Sequence, residues 1–336
     1  DVYKRQYLFL FRTHVKLGNR HKLSVGTEYI VDVLKSQTDN IAKEDAYTLA
    51  LFAQDEIKLL RNLQALIGVR YIYHENFKNH ATPNVALMYK PGKFNFRASY
   101  AAGFRTPTLS ELYATDIAKK NDRLTIGNLD LKPEKNNYFS LSAEYVHERF
   151  SVSVNAFYNN IRDMIDYNTI ATGDKAMEQY GHKEVRQRDN IAEAKVHGIN
   201  VSANAYLGAG FNLSGGYTHL NTQDVELEQP IDKSIKNAYN INAQWAHSWK
   251  IYRLNINLNG RINSKRFSKS YGYAPEYQLW DLNTRHSFNL KSVIIEPGFG
   301  MENLFDYMDD RPYNSNYATL TPGRSFYISL SLKFKS

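Results

Sequence analysis

The sequence predicts an all-β chain, an antiparallel transmembrane β-barrel with about fifteen strands present among 336 residues. Three observations lead there. Apolar and polar side chains alternate with a period of two along most of the chain, full charges keep to one parity, and tight turns alternate with long excursions. The pattern is plainest at the end. Phe326, Ile328, Leu330, Leu332 and Phe334 share one face of an extended strand, and Tyr327, Ser329, Ser331 and Lys333 share the other.

From the start, Tyr7, Phe9, Phe11 and Val15 alternate with Leu8, Leu10, Arg12 and His14, and Leu23, Val25, Tyr29 and Val31 continue the series. Residues 1–6 match neither a mature start nor this strand, and they read as a truncated or non-native junction, leaving 7–336 as barrel. Tyr47, Leu49 and Leu51 face Leu63, Ala65, Ile67, Val69 and Tyr71 across a turn near Leu60-Arg61-Asn62. Val85, Leu87 and Tyr89 lead into Lys90-Pro91-Gly92-Lys93, where Pro and Gly supply turn geometry, and Phe94, Phe96, Ala98 and Tyr100 return. Phe139, Leu141, Ala143 and Tyr145 turn at 147–149 into Phe150, Val152, Val154 and Ala156. Ile199, Val201, Ala203 and Ala205 turn at Gly208-Ala209-Gly210 into Phe211, Leu213 and Tyr217. Tyr239, Ile241, Ala243, Trp245 and Trp249 precede Tyr252, Leu254, Ile256 and Leu258. Leu282, Phe288 and Leu290 follow, with His286 awkward on their apolar parity, and Ile295, Phe299 and Met301 come before the final strand.

Composition narrows the alternatives. No stretch approaches the roughly 18 apolar residues of a membrane helix, and the mean hydropathy is −0.53. A barrel passes that test because only alternate residues of each strand meet lipid. Tyr (25) and Phe (17) are abundant, as strands and interfacial aromatic belts require. Cysteine is absent, which removes disulfides and thiolate metal sites. The net charge of +8 is scattered over turns, loops and polar strand faces without a basic stripe, which argues against nucleic acid.

A charge at mid-depth on a lipid-facing surface costs about 2–4 kcal/mol for Arg or Lys. Arg97, Glu144, Arg253 and Arg285 all fall on the polar parity. A soluble sandwich would need a second apolar layer for so many strands. Short links at 90–93, 147–149 and 208–210 alternate with excursions at 104–134, 164–192, 221–234, 264–276 and 303–323, the pattern of periplasmic turns and outer loops. An odd number of strands ending in the periplasm reads as the C-terminal part of a larger barrel.

Gly103-Phe104-Arg105-Thr106-Pro107-Thr108-Leu109-Ser110-Glu111-Leu112-Tyr113, followed by Gly127-Asn128-Leu129-Asp130-Leu131-Lys132-Pro133-Glu134, resembles the TonB-dependent receptor family. That family carries a G-F-[RK]-x-P-x-L-x-[EQ]-L-[YF] run ahead of N-x-x-L-x-P-E. Lys195 to Asn200 resembles its K-x-x-G-[VI]-E strand start, with Asn200 in place of Glu. Asn303-Leu304-Phe305-Asp306 with Pro322-Gly323-Arg324 resembles its N-L-F-[DN] and P-G-R elements. The resemblance covers roughly 100–336 and implies a barrel of about 22 strands filled by an N-terminal plug. It further implies the outer membrane of a Gram-negative bacterium, with outer-membrane lipid around the barrel. The partners it implies are that plug, and through it the TonB-ExbB-ExbD complex. The activity is active import of a scarce nutrient, a siderophore-iron, heme or cobalamin-like ligand, with a passive porin-type channel as the alternative.

No enzyme signature is found, since His74-Glu75 lacks the second histidine at helical spacing that a zincin uses. Ligand-contacting candidates are Arg105, Tyr113, His182, Tyr271, Tyr273, Tyr313 and Tyr317, all on predicted outer loops. Residues 104–131 lack the histidine that heme receptors of the family place there. Gly103, Phe104, Pro107, Leu109, Glu111, Asn128, Pro133, Glu134, Asn303, Leu304, Phe305, Gly323 and Arg324 are expected to be mainly structural. Asp306, Asp309 and Asp310 offer oxygen ligands for Ca²⁺, though a solvated acidic loop is the favoured reading, and no metal site is expected.

Overall fold

The computed structural model describes residues 2–37, 41–119, 121–268, 272–309 and 321–335. Fifteen strands make one antiparallel wall in which each pairs with the next along the chain. They are β1 (Val2–Leu17), β2 (His21–Ser36), β3 (Ile41–Leu60), β4 (Leu63–His74), β5 (Lys78–Tyr89), β6 (Phe94–Arg105), β9 (Glu134–Val146), β10 (Phe150–Thr172), β11 (Glu184–Gly208), β12 (Phe211–Asp224), β13 (Asn237–Trp249), β14 (Tyr252–Asn263), β17 (Tyr277–Asn289), β18 (Val293–Glu302) and β19 (Ser325–Phe334). Among the described residues β1 and β19 do not pair with each other. Consistent with two free edges, almost every described residue of both strands is exposed.

The alternation read from the sequence is the physical division of the wall. Phe9, Leu141, Ile328 and Leu330 are 72%, 63%, 83% and 64% exposed, so these side chains do not converge on a dry centre. Hydrocarbon is the environment that stabilises such a surface. Neighbouring outward residues pack ring on ring across strands, as in Tyr29–Tyr47 and Tyr47–Tyr73, each 6.0 Å between centroids. His286 finds its partner on that same face, with Tyr252 Oη 2.8 Å from its Nδ1. Charged groups do sit on the outward parity near the ends of the wall, contrary to the charge-free face expected. Lys43 lies 2.9 Å from Asp45 and Lys195 3.9 Å from Glu193, while His21 Nδ1 lies 2.6 Å from Asp55 Oδ2 close to the turn after β1.

The inner face is polar and cross-linked. Asn242 donates to Asn257 and Asn259 at 2.6 and 2.7 Å, Thr218 to Asn200 at 2.9 Å, and Tyr327 to Asn283 at 2.6 Å. On β2 the backbone of Gly26 lies under the Phe52 ring. A Cβ there would come within 2.4 Å of both Phe52 Cζ and the Phe11 carbonyl oxygen, so only glycine fits.

Links at one end of the wall are two to four residues long, between β1–β2, β3–β4, β5–β6, β9–β10, β11–β12, β13–β14 and β17–β18. The five long excursions all lie at the other end. Two of them are more ordered than expected. Most of 164–192 is not loop but the extension of β10 and β11, paired as far as Thr172↔Glu184 and closed by α2 (Gly173–Tyr180). The 106–133 stretch holds α1 (Leu109–Tyr113) and the hairpin β7 (Asp116–Ala118) and β8 (Arg123–Ile126), and β8 adds parallel to β11. A further hairpin, β15 (Arg266–Ser268) and β16 (Gly272–Ala274), stands apart from the wall. The first strand begins earlier than alternation marks it, because residues 2–6 pair with Asp32–Ser36.

Candidate functional site

The long-loop end is organised around Arg105, the last residue of β6. Its Nε and Nη2 donate to the two oxygens of Glu134 at 2.7 and 2.6 Å, and its Nη1 donates to Glu111 at 2.9 and 3.2 Å. The planar guanidinium fork suits a bidentate carboxylate contact. Glu134 is the Cα partner of Arg105 across the β6–β9 ladder, so the sheet register itself brings this pair together. Glu134 Oε1 also accepts from the backbone N–H of Ile165, which ties the start of β9 to β10.

Glu111 has a second task. Its Oε2 accepts from the Thr108 N–H at 2.8 Å while Thr108 Oγ1 accepts from the Glu111 N–H at 3.2 Å, a reciprocal cap on α1. Burial alone would push this carboxyl up, but the Arg105 guanidinium and the Thr108 donors outweigh it and hold the group below the usual carboxylate range. The two carboxylates in turn raise the Arg105 guanidinium above its ordinary value, Glu134 first.

Capped in this way, α1 sets its two leucines into the inner face. Leu109 packs with Leu34 and Ala46 of β2 and β3, and Leu112 packs with Leu131 and Ile165. Tyr113 touches both clusters, and burial raises its phenol. Gly127 passes so close that a Cβ would lie 2.5 Å from the Leu112 carbonyl oxygen. Asn128 then donates to the Arg188 carbonyl at 2.9 Å and accepts from the Asp130 N–H at 2.9 Å. Asn190 answers from β11, exchanging hydrogen bonds with the Lys132 backbone at 2.7 and 2.9 Å. Arg105, Leu109, Glu111, Asn128 and Glu134 thus make one bracket that fixes α1 over the inner face.

The other motif pair is also joined. Asn303, 4% exposed and at φ +51°, donates to the carbonyls of Tyr307 and Pro322 at 2.7 and 3.1 Å and accepts from the Tyr307 N–H at 2.9 Å. Asp306 accepts from the Arg324 N–H at 2.7 Å, so its carboxylate closes the base of the excursion. Gly323 lies against this carboxylate, and Phe305 sets its ring edge-on to Trp280.

Among the described residues, the ligand-contacting candidates are not gathered into one place. Arg105 and Tyr113 belong to the bracket. His182 follows α2, its Nδ1 2.9 Å from Asp122 at the start of β8, and this contact holds the Asp122 carboxyl below its usual value. Tyr273 is 57% exposed on the separate hairpin, edge-on to Phe267. Tyr271, Tyr313, Tyr317 and Asp310 lie outside the described residues.

Below α1 a cavity of about 620 Å³ opens on the inner face, lined by Arg70, His74, Glu28, Asp32 and the Phe104–Pro107 turn. Arg70 is ion-paired with Glu28, and the guanidiniums of Arg70 and Arg12 approach the Phe52 ring at 5.7 and 5.4 Å. The sequence offers a signal for this group, because Arg12, Glu28, Phe52 and Arg70 all lie on the polar parity. Only the register sets them side by side. Nearer the short turns a second inner cavity, about 670 Å³, carries Lys16, Lys22, Lys58 and Arg97 against Glu56. The β11–β14 wall presents amides such as Asn200, Asn242, Asn257 and Asn259, with Arg253 and Arg261 on the same parity.

A family model described as "TonB dependent receptor-like, beta-barrel" matches residues 2–304. Among solved structures, a mutant of the ferric enterobactin receptor PfeA from Pseudomonas aeruginosa superposes with a TM-score of 0.81 at 19% identity, covering 99% of this chain and 54% of that one. The siderophore receptor PirA from Pseudomonas aeruginosa gives 0.77 at 18%, with 100% and 57% covered. The copper transporter OprC gives 0.74 at 11%, with 99% and 56% covered. The chain therefore spans about half the length of these proteins, and at such identities the likeness concerns the fold.

Proposed function

From the premise that this chain belongs to the TonB-dependent receptor-like β-barrel family, we propose that it forms the outer-membrane wall of a receptor importing a metal chelate. The observation that carries the reading is the family match over 2–304, on a wall greasy outside and polar inside. A plug encoded with this barrel fills the lumen and couples to the TonB-ExbB-ExbD complex. No covalent chemistry is needed, since capture and release are differences in binding between states.

The cargo class is read from chemistry. The inner face below α1, toward the long-loop end, combines Arg12 and the Glu28-paired Arg70 with the Phe52 ring. Cations with an aromatic plane suit an anionic, partly aromatic chelate such as a ferric siderophore. Two of the similar structures bear siderophore-receptor names and a third bears the name of a copper transporter.

Uptake of radiolabelled ferric siderophores and copper, compared between intact cells with and without the gene, tests this directly. Accumulation that needs the gene, TonB and an energised inner membrane supports the proposal. Constitutive conductance of the intact protein in planar bilayers, with no energy dependence in cells, would assign it to passive channels.

A further inference from the structure

At the long-loop end the link from β4 to β5 is only three residues, Glu75-Asn76-Phe77. Lys78 follows it at φ +60°, a left-handed conformation that a lysine keeps only where its surroundings hold it. Side chains on several strands do the holding. Glu75 is tied to β3, its N–H donating to the Tyr47 carbonyl at 3.0 Å and its Oε2 accepting from the Tyr47 N–H at 3.3 Å. Lys78 Nζ donates to the Glu75 carbonyl at 3.0 Å. Asn76 donates its backbone N–H to His74 Nδ1 at 3.1 Å. Phe77 packs on the Leu112, Leu131 and Ile165 cluster beneath α1, its ring 5.0 Å from that of His74.

His74 is 5% exposed and its Nδ1 is an acceptor, so this cap exists only while the ring is neutral. His80, on β5, behaves oppositely. Its Nε2 donates to the Phe77 carbonyl at 2.8 Å, a bond that survives protonation, and its ring stacks on Phe104 at 3.8 Å. The other charged groups around His74 are Glu28 and Asp32 of β2, Arg70 of β4, Glu75 in the turn, Lys78 of β5, Arg105 of β6 and Lys4 of β1. Glu28 is paired with Arg70, and Arg105 with Glu111 and Glu134, which leaves Asp32 and Glu75 as the anions that favour a charged ring. Burial outweighs Asp32 and Glu75 and, helped by His80, holds the ring below the ordinary histidine value. His74 lies one residue past Tyr73, which stacks with Tyr47 on the outward face, and so stands at the edge of the span.

We infer that His74 is a proton-sensitive latch: neutral, it caps the β4–β5 turn and seats Phe77 beneath α1, and charged, it releases both. Protonation turns the Nδ1 acceptor into a donor facing the Asn76 N–H, and it places a cation in a site shut off from water. The sign follows from the depressed histidine. The folded chain binds fewer protons here than the unfolded one, so the latch contributes fully above about pH 6.5 and weakens as pH falls below it. The Arg105 bracket is separate and keeps α1 in place while the turn opens. The turn borders the cavity below α1, so acid loosens the rim of that cavity whatever cargo it takes.

Hydrogen–deuterium exchange of the intact protein between pH 7 and pH 5, corrected for intrinsic rates, provides the test. Protection of residues 75–78 should fall about fivefold or more over that interval, while 106–114 holds. In His74→Asn the side-chain oxygen can accept the same N–H two residues on, so protection should persist and lose its pH dependence. His74→Ala should be poorly protected at both values, and His80→Gln should keep the pH dependence. A flat profile in the wild-type protein, an unchanged profile in His74→Asn, or loss of the profile in His80→Gln would each overturn the inference. These readouts need no cargo and no import, so they stand or fall apart from the receptor reading.

Discussion

Replacing Arg105 with alanine removes four N–H···O contacts to Glu111 and Glu134 and leaves two carboxylates facing each other. The acids are 14% and 17% exposed, but the arginine is 42% exposed, so water enters as the guanidinium leaves. A fully buried pair broken this way costs about 3–5 kcal/mol, and an exposed one under about 1 kcal/mol. The geometry lies between them, and about 2 kcal/mol is expected. That corresponds to roughly a thirtyfold rise in local opening. Hydrogen–deuterium exchange of the 106–114 segment reads it, through the amides of Leu112 and Ala114 that bond within α1. Segments of β13 and β14 serve as the internal reference and should not change. Arg105→Lys places one point charge where two carboxylates need a fork, so about 1 kcal/mol and roughly fivefold faster exchange are expected. The pH dependence has a definite sign. The Glu111 carboxyl lies below its ordinary value when folded, so its contribution is complete at neutral pH and disappears as pH falls through the depressed value. Protection of 106–114 should hold down to about pH 5 and decline below about pH 4. Unchanged exchange in Arg105→Ala, or a uniform loss across the whole wall, would refute the bracket.

Leu141→Arg, on the outward face of β9, should lower barrel stability by about 2–4 kcal/mol in urea titrations followed by heat-modifiable gel mobility. Asn204→Arg on the inward face should cost under about 1 kcal/mol, and equal costs would abolish the division of faces. Asn303→Ala removes three side-chain hydrogen bonds from a buried site and puts alanine at φ +51°, so about 3 kcal/mol of local stability should be lost. Faster limited proteolysis of residues 303–309 is the readout. Gly26→Ala should destabilise by about 2 kcal/mol in the same urea titration, because its methyl meets both Phe52 and the Phe11 carbonyl. Adding Phe52→Leu should restore only part of that, since the carbonyl cannot move aside.

The wall was legible because its signal is local and repeated. A lipid-facing strand must be apolar at every second residue, and that requirement is written out fifteen times, so strand number and facing could be read without any knowledge of partners. The turn after β5 announces itself through Pro91 and Gly92, and Asn303 and Gly323 could be singled out as motif before their contacts were known. Where local preference was ambiguous the reading fell short. Residues 164–192 mix apolar and polar residues on both parities, so no alternation in them marks a strand, and their hairpin forms because each edge finds the other at the long-loop end.

The site depended on distance in space. Arg105 carries the same signature whether it meets a ligand or two acids. Only the Arg105↔Glu134 register and the cap on α1 decide that its fork is occupied by Glu134 and Glu111. Arg12, Glu28, Phe52 and Arg70 are scattered over nearly sixty residues and become one inner cluster only when four strands align. Alternation determined which way each side chain faces, because that depends on the residue and its two neighbours. Which side chains meet was decided by the pairing of strands far apart in the chain, a property no local window contains.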